Sequence, residues 1–422
     1  MISPVSSLRV SRFKGAGSFL GRLRGIRKTH SWGSDEELAM EVDVDDESLE
    51  MPELDAQQLD FPPPGRRNPR KQSGKKSLSK SKMKKLLKQE LEKERKSNVF
   101  HSFSAFYEEQ YGSARWSSLM ACLLSKPRVA CLVNKYCNES SVPPSTNSTR
   151  VPFLKLPVYE SSALFPHPER DTHNVFDYYL MDAASVLVTE ALDLEVGDKV
   201  LDLCAAPGGK TLGILQQLDL LQGALVANEP SPTRSKRLSK VISEYVPANL
   251  RTSIRVTRRN GIKWMEHDLY DKVLVDAPCS SERHLLHDPK ELGTWTPRRT
   301  ENCAKRQLAL LFAALRAAKL YGRIVYSTCS LSQLENDSVI SKALEKGKLD
   351  FEIIQKQWPV GERTEHGWII LPDVSQGWGP IYIAVLKKLS TKPELFEECV
   401  EDLEELQDTD GEPLLLLPGP ES

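Results

Sequence analysis

The chain has 422 residues, 27% of them charged and 40% hydrophobic, and Lys+Arg 57 against Asp+Glu 58 give a formal net charge of -1. That length suits one large or two ordinary domains with an ample core. No apolar run approaches the ~18 residues of a membrane-spanning helix, and eight Cys without a CxxC pair argue against a disulfide framework or a zinc ribbon.

The charge is sorted into blocks along the chain. Residues 1–34 hold seven bases and no acid, with Ser, Gly and broken apolar runs between them. That composition predicts a mitochondrial transit peptide. From Ser34 to Asp60 twelve acids and no base follow, then the breaker Phe61-Pro-Pro-Pro-Gly65, then fourteen bases against three acids over 66–96. Like-charge blocks with few aromatics bury too little apolar surface to fold, so 35–80 is expected to be a disordered linker, acidic and then basic. The basic block reads equally as a solvated linker or as a phosphate-contacting arm. Residues 81–165 are expected to form a helical extension. Within it Lys82–Lys96 has helix-forming composition and runs into Phe100, Phe103, Phe106 and Tyr107, spaced as one packed helix face. After Lys392 come eleven acids and no base, so 391–422 is expected to be an acidic disordered tail.

Residues 166–390 form the expected catalytic domain. Short β-type runs alternate there with helical stretches: Lys199–Ala205, Ala224–Glu229, Ile254–Arg258, Lys272–Pro278 and Gly322–Cys329, then the weaker Phe351–Gln355 and Ile381–Leu386. The alternation predicts an α/β fold, a mostly parallel seven-stranded sheet with helices on both faces. Ligands bind such sheets outside the carboxyl ends of the strands, where the strand order reverses.

The first of these strands ends in Asp202-Leu-Cys-Ala-Ala-Pro-Gly-Gly-Lys-Thr211 and leads into a helix. A glycine pair at such a turn lets backbone approach a ligand beside free helix N-terminal amides. The run is neither GxGxxG nor a phosphate loop, because Cys204 stands where GxxxxGK[ST] needs its first glycine. Glu229 ends the second strand, twenty residues after Gly209, where an acid typically accepts from ribose hydroxyls. Asn260-Gly261 follows the third strand, placed for an adenine edge. Together these describe a nucleoside cofactor without a pyrophosphate, and S-adenosylmethionine fits better than NAD.

The fourth strand ends Asp276-Ala-Pro-Cys279 and the fifth Ser327-Thr-Cys-Ser330. With the order reversing after strand one, these two strands are neighbours, about 4.8 Å apart, and both thiols lie at the carboxyl edge. Ser332-Gln-Leu-Glu335 reads as a capping box, which predicts a helix just after Cys329 and a favoured thiolate there. Thiolate addition at C6 of cytosine, with N3 held by an acid such as Asp276, makes C5 nucleophilic enough to take a methyl group. A second cysteine can then assist release. Geometry from the sequence does not rank the two thiols, and buried structural cysteines are the alternative.

LDLCAAPGGKT, VLVDAPCS and VYSTCSL, with HNVFDYYLMDAAS ahead of them read as a helix, resemble the signatures of the Sun-domain (Nop/Sun) RNA cytosine-5 methyltransferases over roughly 170–390. The closest likeness is to the mitochondrial ribosomal-RNA-modifying branch. The resemblance implies a Rossmann-like class I fold using S-adenosylmethionine. It also implies Cys329 as nucleophile, Cys279 in product release, and a cofactor lining of Ala205, Pro207, Gly208, Gly209, Lys210, Glu229, Arg234, Asn260, Gly261 and Asp276. Glu229 and Asn260 stand where the family often has Asp. It further implies action on small-subunit ribosomal RNA with mitochondrial ribosomal subunits and a helical-repeat partner of the mitochondrial termination-factor family. Here the Lys82–Tyr107 helix or the acidic tail is placed to mediate that assembly.

Arg234, Lys236, Arg237, Lys240, Arg251, Arg255, Arg258, Arg259 and Lys263, then Arg283, Arg298 and Arg299, cluster around the expected cleft as candidate phosphate contacts. Trp295 reads either as a platform for a flipped base or as a core residue. His284 and His287 lack the companions a metal site needs and read as loop or RNA contacts. The leading expectation is therefore a matrix enzyme methylating cytosine C5 in mitochondrial ribosomal RNA. A non-catalytic RNA-binding assembly factor and a transfer-RNA methyltransferase are the alternatives.

Overall fold

A computed structural model describes residues 80–138, 147–346 and 350–390. The expectations for 1–34, the linker to residue 79 and the tail from 391 lie outside the described residues.

Two helices open the described chain, α1 (Lys80–Tyr111) and α2 (Ser113–Leu124). Most of the aromatic face expected on α1 is there: Phe103 and Tyr107 are fully buried and pack on Trp116 of α2 and on Trp295, with Phe106 partly buried beside them, whereas Phe100 is exposed. Beyond Leu124 the expected helical extension gives way to strands. β1 (Ala130–Val133), β2 (Ser148–Arg150), β3 (Val158–Ser161) and β4 (Tyr178–Met181) pair antiparallel in the order β2-β3-β1-β4. Pro127, Pro152 and Pro157 deny this stretch a helix interior, and the β-branched and aromatic residues between them suit a small sheet. HNVFDYYLMDAAS likewise divides. Its aromatic centre is β4, and a helix, α3 (Ala183–Glu190), starts only where the Asp182 side chain accepts from the Ala184 N–H at 2.7 Å.

The second sheet carries the site. Its parallel strands are β5 (Lys199–Asp202), β6 (Ala224–Asn228), β7 (Ile254–Thr257), β8 (Tyr270–Asp276) and β9 (Ala318–Thr328), in the spatial order β9-β8-β5-β6-β7. The order reverses at β5, as expected. Helices α4 (Gly209–Gln217), α5 (Pro232–Tyr245), α6 (Glu282–His287), α7 (Pro289–Leu292), α8 (Pro297–Ala317) and α9 (Asp337–Lys346) lie in the connections. Successive strand residues feed opposite cores. Val200 and Val325 pack on one face, Leu201, Ile324 and Tyr326 on the other, which is why these strands read as unbroken apolar runs.

β10 (Phe351–Ile353) and β13 (Ile381–Lys388) match the two weaker strand expectations, with β13 antiparallel to β9. β11 (Glu362–Arg363) and β12 (Trp368–Ile370) extend that edge, so the sheet has nine described strands rather than seven. Both added strands are too short, at two and three residues, to show a period in the sequence.

Candidate functional site

The loops at the carboxyl ends of β5, β6, β8 and β9 bring the expected residues together. Gly208 sits at φ 122°, a region closed to side chains, and a Cβ there would stand 3.0 Å from Val241 Cγ1. Gly209 begins α4, and a Cβ on it would meet Tyr179 at 3.2 Å. The turn therefore needs both glycines, one for its backbone and one for its neighbour. Lys210, the next residue, reaches across to β8 and pairs with Asp276 Oδ2 at 2.8 Å. Burial opposes charge on Lys210, but the charge and hydrogen bond of Asp276 outweigh it and hold the ammonium above its ordinary range. Asp276 Oδ1 accepts from Ser327 Oγ at 2.8 Å, in the register that sets Asp276 beside Ser327.

Glu229, almost fully buried after β6, accepts from the Ser231 N–H at 2.9 Å and pairs with Arg234 at 3.3 Å. Burial raises its carboxyl, against the pull of Arg234. Arg234 also donates to the Ala206 carbonyl at 2.9 Å, tying the acid to the glycine turn. Asn260 is exposed after β7, and its Oδ1 already accepts from the Ile262 N–H at 3.0 Å. Toward an adenine it therefore offers its Nδ2 donor more readily than an acceptor.

Two residues here were not singled out from the sequence. Asp202, fully buried at the end of β5, accepts from Thr211 Oγ1 at 2.7 Å, while its Oδ1 has no hydrogen-bond partner. Burial pushes this carboxyl up to about 7. Asn228, also fully buried, accepts from Thr257 Oγ1 and the Arg259 N–H and donates to the carbonyls of Leu203 and Arg259. It binds three strand ends into one rim. An acid closing an apolar strand and an Asn directly before Glu229 are the signals that could have found them.

This donor set fits S-adenosylmethionine. Asp202 keeps an unsatisfied buried acceptor, Glu229 keeps spare lone pairs, and the nearby Lys210 and Arg234 are already paired with acids. Such a pocket favours a cationic nucleoside with hydroxyls and would repel a pyrophosphate.

The two thiols meet. Cys279 Sγ and Cys329 Sγ lie 3.0 Å apart with no disulfide between them, and Ser281 Oγ is 3.4 Å from the first and 3.1 Å from the second. Their environments differ in a way the sequence did not show. The hydrogen bonds from Cys279 and Ser281 favour charge on Cys329 and lower its pKa despite burial. Giving that hydrogen bond, together with burial, pushes Cys279 well up. Ser281 itself sits at φ 52°, a left-handed conformation costing a serine roughly 1–2 kcal/mol, so the loop holds strain where it supplies a donor.

The capping box does not form as expected. Ser332 does accept from the Leu334 N–H, but only a 3-10 turn (Gln333–Glu335) follows, and α9 begins at Asp337. Glu335 is buried and turns back to Ser280 and Ser330 instead. The lowered pKa of Cys329 thus comes from two side-chain donors, not from a helix terminus.

Among the expected RNA contacts, Arg283 is mostly buried and donates to the carbonyls of Gly377 and Gly379 at 2.8 and 2.6 Å, so it is structural. Arg255 and Arg259 share Glu266, and Arg251 caps the carbonyls of Ser243 and Val246. Lys236, Arg237, Lys240, Arg258 and Lys263 are exposed near the cofactor loops. Trp295 is 2% exposed and ringed by Phe103, Phe106 and Tyr107, which makes it a core residue. His287 Nε2 lies 3.0 Å from the Leu123 carbonyl, and no metal-ligand cluster occurs among the described residues.

The family model described as 16S rRNA methyltransferase RsmB/F matches residues 189–387, the stretch that builds this site. The Mus musculus 5-cytosine rRNA methyltransferase NSUN4 is 33% identical over 347 residues, covering 69% of this chain and 88% of that protein. The chain belongs to the RsmB/F family of RNA cytosine-5 methyltransferases. A Danio rerio relative, the mitochondrial tRNA (cytosine(34)-C(5))-methyltransferase, is 35% identical over 266 residues, 60% of this chain and 71% of that one. In fold, NSun6 from Pyrococcus horikoshii superposes with a TM-score of 0.57 at 18% identity, covering 69% of this chain and 98% of that chain. The methyltransferase takes its methyl group from S-adenosylmethionine and acts on RNA.

Proposed function

We propose that the enzyme methylates C5 of a cytosine in mitochondrial small-subunit ribosomal RNA through a covalent adduct between Cys329 and C6. The observation that carries this is the thiol pair, 3.0 Å apart with Ser281 Oγ 3.1 Å from Cys329 Sγ, beside the Lys210–Asp276 pair. Cys329, the thiol with the favoured thiolate, adds to C6 of the target base. Electrons displaced toward N3 meet the Asp276 edge, where Lys210 holds the proton that balances them. C5 is then the nucleophile, and bound S-adenosylmethionine supplies an electrophilic methyl group beside it. Loss of the C5 proton to a base forms the C5–C6 double bond and expels Cys329 as thiolate, while the proton lent at N3 returns to the Lys210–Asp276 pair. Cys279 and Ser281 receive that thiolate with the hydrogen bonds they already make at rest.

The cofactor would be held by the Ala205–Lys210 turn, with Pro207, Gly208 and Gly209 keeping it narrow. Glu229, aligned by Arg234, would take the ribose hydroxyls, Asn260 and Gly261 would border the adenine, and Asp276 would border the transferring methyl. Exposed bases from Lys236 to Lys263 supply phosphate affinity without choosing sequence.

Two features support a mitochondrial setting: the acid-free basic leader over residues 1–34, and a relative whose name places it in that organelle. The rRNA methyltransferases named NSUN4 favour ribosomal RNA as the target, and the motif resemblance adds mitochondrial ribosomal subunits and a helical-repeat termination-factor protein as proposed partners. The Danio rerio relative keeps transfer RNA as a second reading. RNA containing 5-azacytidine, incubated with the enzyme and sequenced after denaturing capture, separates the two. Capture of small-subunit ribosomal RNA supports the first reading, capture of transfer RNA alone supports the second, and no capture opposes both.

A further inference from the structure

One residue beyond each cysteine stands a fully buried serine, Ser280 and Ser330, and both hydroxyls turn to two fully buried acids, Glu282 and Glu335. Glu282 Oε1 also accepts from Tyr107 Oη at 2.6 Å, and its Oε2 from the Leu331 N–H at 2.9 Å. Glu335 Oε2 accepts from the Ser280 N–H at 3.0 Å and from Gln307 Nε2 at 2.7 Å. The backbone after Cys279 therefore rests on Glu335, and the backbone after Cys329 rests on Glu282.

The protons do not balance if both acids are charged. Tyr107 Oη, Ser280 Oγ, Ser330 Oγ, Glu282 Oε1 and Glu335 Oε1 form six oxygen pairs within hydrogen-bonding distance, and their three hydroxyls bring three protons. Two carboxylates facing the same serines in a dry site would also repel each other. A fourth proton, on one carboxyl, narrows that shortfall and removes one of the two facing charges.

We propose that Glu282 and Glu335 share one proton and act as positioning residues, clamping the Cys279 and Cys329 loops at the separation where one thiol donates to the other. Tyr107 ties this clamp to helix α1, so the N-terminal extension supports the reacting pair. The proposal rests on the reading above that Cys279 and Cys329 are that pair.

Burial, reinforced by the charge of Glu282, pushes the Glu335 carboxyl up to about 8. The proton is therefore held at neutral pH and lost as pH rises through that value. The other titratable groups facing the pair are Tyr107 and Tyr111 from α1, Cys279 on its loop, Cys303 on α8 with Arg299 and Arg306 beyond it, and Tyr326 on β9. Burial raises the tyrosines and Cys303 well above neutral, which leaves Glu335 as the group of this cluster that titrates near pH 8.

The test uses the full chain and its Glu335→Gln, Glu335→Ala and Tyr107→Phe variants. One readout needs no RNA: diamide is reduced to its hydrazine as the two thiols are oxidised to a disulfide, followed by peptide mass spectrometry. Glu335→Ala is expected to slow that closure about tenfold or more, because the loops part by a fraction of an ångström to an ångström. The second readout is the pH profile of single-turnover methyl transfer to a transcript of the mitochondrial small-subunit ribosomal RNA. The wild-type rate is expected to rise with Cys329 ionisation and then to show a falling limb above about pH 8, whereas Glu335→Gln, whatever its absolute rate, has no falling limb because its amide does not titrate. Tyr107→Phe is expected to lower kcat several-fold with an unchanged KM for the RNA. A falling limb kept in Glu335→Gln overturns the proposal, as does disulfide closure at the wild-type rate in a folded Glu335→Ala. If Glu335→Ala does not fold, the Glu335→Gln profile decides alone. A transcript left unmethylated by wild type would refute the RNA reading, and the disulfide measurement would still judge the clamp.

Discussion

Ser281→Ala removes one of the two donors that favour charge on Cys329. The Ser281 hydroxyl lies 3.1 Å from that sulfur, 3.4 Å from Cys279 Sγ and 3.5 Å from the Cys279 carbonyl, and the alanine can keep the same left-handed backbone, so the change is confined to this hydroxyl's contacts, the shortest of them to Cys329. A hydrogen bond to a charged group contributes about 1.5–3 kcal/mol, and sulfur is a weak acceptor, so the lower end applies. At 1.36 kcal/mol per pKa unit, the Cys329 pKa should rise by about one unit. Since thiolate is the reacting form, the alkylation midpoint of Cys329 should move to higher pH by that amount. Iodoacetamide labelling of Cys329, read peptide by peptide across the neutral to alkaline range, measures this directly. Cys279→Ala, which removes the larger contribution, should shift the midpoint further in the same direction. An unchanged midpoint in both variants would refute the view that these two side chains set the reactivity of Cys329.

Glu229→Gln should weaken binding of S-adenosylhomocysteine by about tenfold or more, through loss of a charge-assisted bond worth about 1.5–3 kcal/mol, measured by calorimetry; unchanged affinity would remove Glu229 from the cofactor site. Gly208→Ala combines a forbidden φ with a Cβ 3.0 Å from Val241, and it should cost at least ~1–2 kcal/mol of stability while lowering cofactor affinity. Trp295→Ala should destabilise the fold by about 3–5 kcal/mol, seen as a lower melting temperature, with RNA affinity unchanged wherever the variant remains folded. A loss of RNA affinity without a loss of stability would return Trp295 to the role of base platform.

The catalytic half of the fold was legible because its strands are buried on both faces. Val200–Leu201 and Ile324–Tyr326 feed opposite cores and read as apolar runs bounded by Gly, Pro and polar turns. The short edge strands β11 and β12 left no such trace. Neither did the small sheet over 130–181, whose prolines argued against helix but whose pairing partners are distant in sequence. At the site, spacing and strand order placed Gly208, Lys210, Glu229, Asp276 and both cysteines at one edge. What they touch depended on side-chain directions the pattern does not carry. Glu335 read as a capping partner because its spacing from Ser332 fits that motif, but two buried serines, Ser330 on its own loop and Ser280 on the neighbouring one, compete for it and win. Arg283 read as a phosphate contact, yet two carbonyls of the Gly377–Gly379 turn claim it.

In the proposed reaction Cys329 attacks and Cys279 assists release. RNA transcribed with 5-azacytidine from the mitochondrial small-subunit gene, mixed with the enzyme and S-adenosylmethionine, should yield an adduct that survives denaturing electrophoresis. That band should vanish with Cys329→Ala and persist with Cys279→Ala, where it forms more slowly because the Cys329 thiolate is less favoured but is no longer released. A band that disappears with Cys279→Ala and persists with Cys329→Ala would contradict the account and reverse the two thiols.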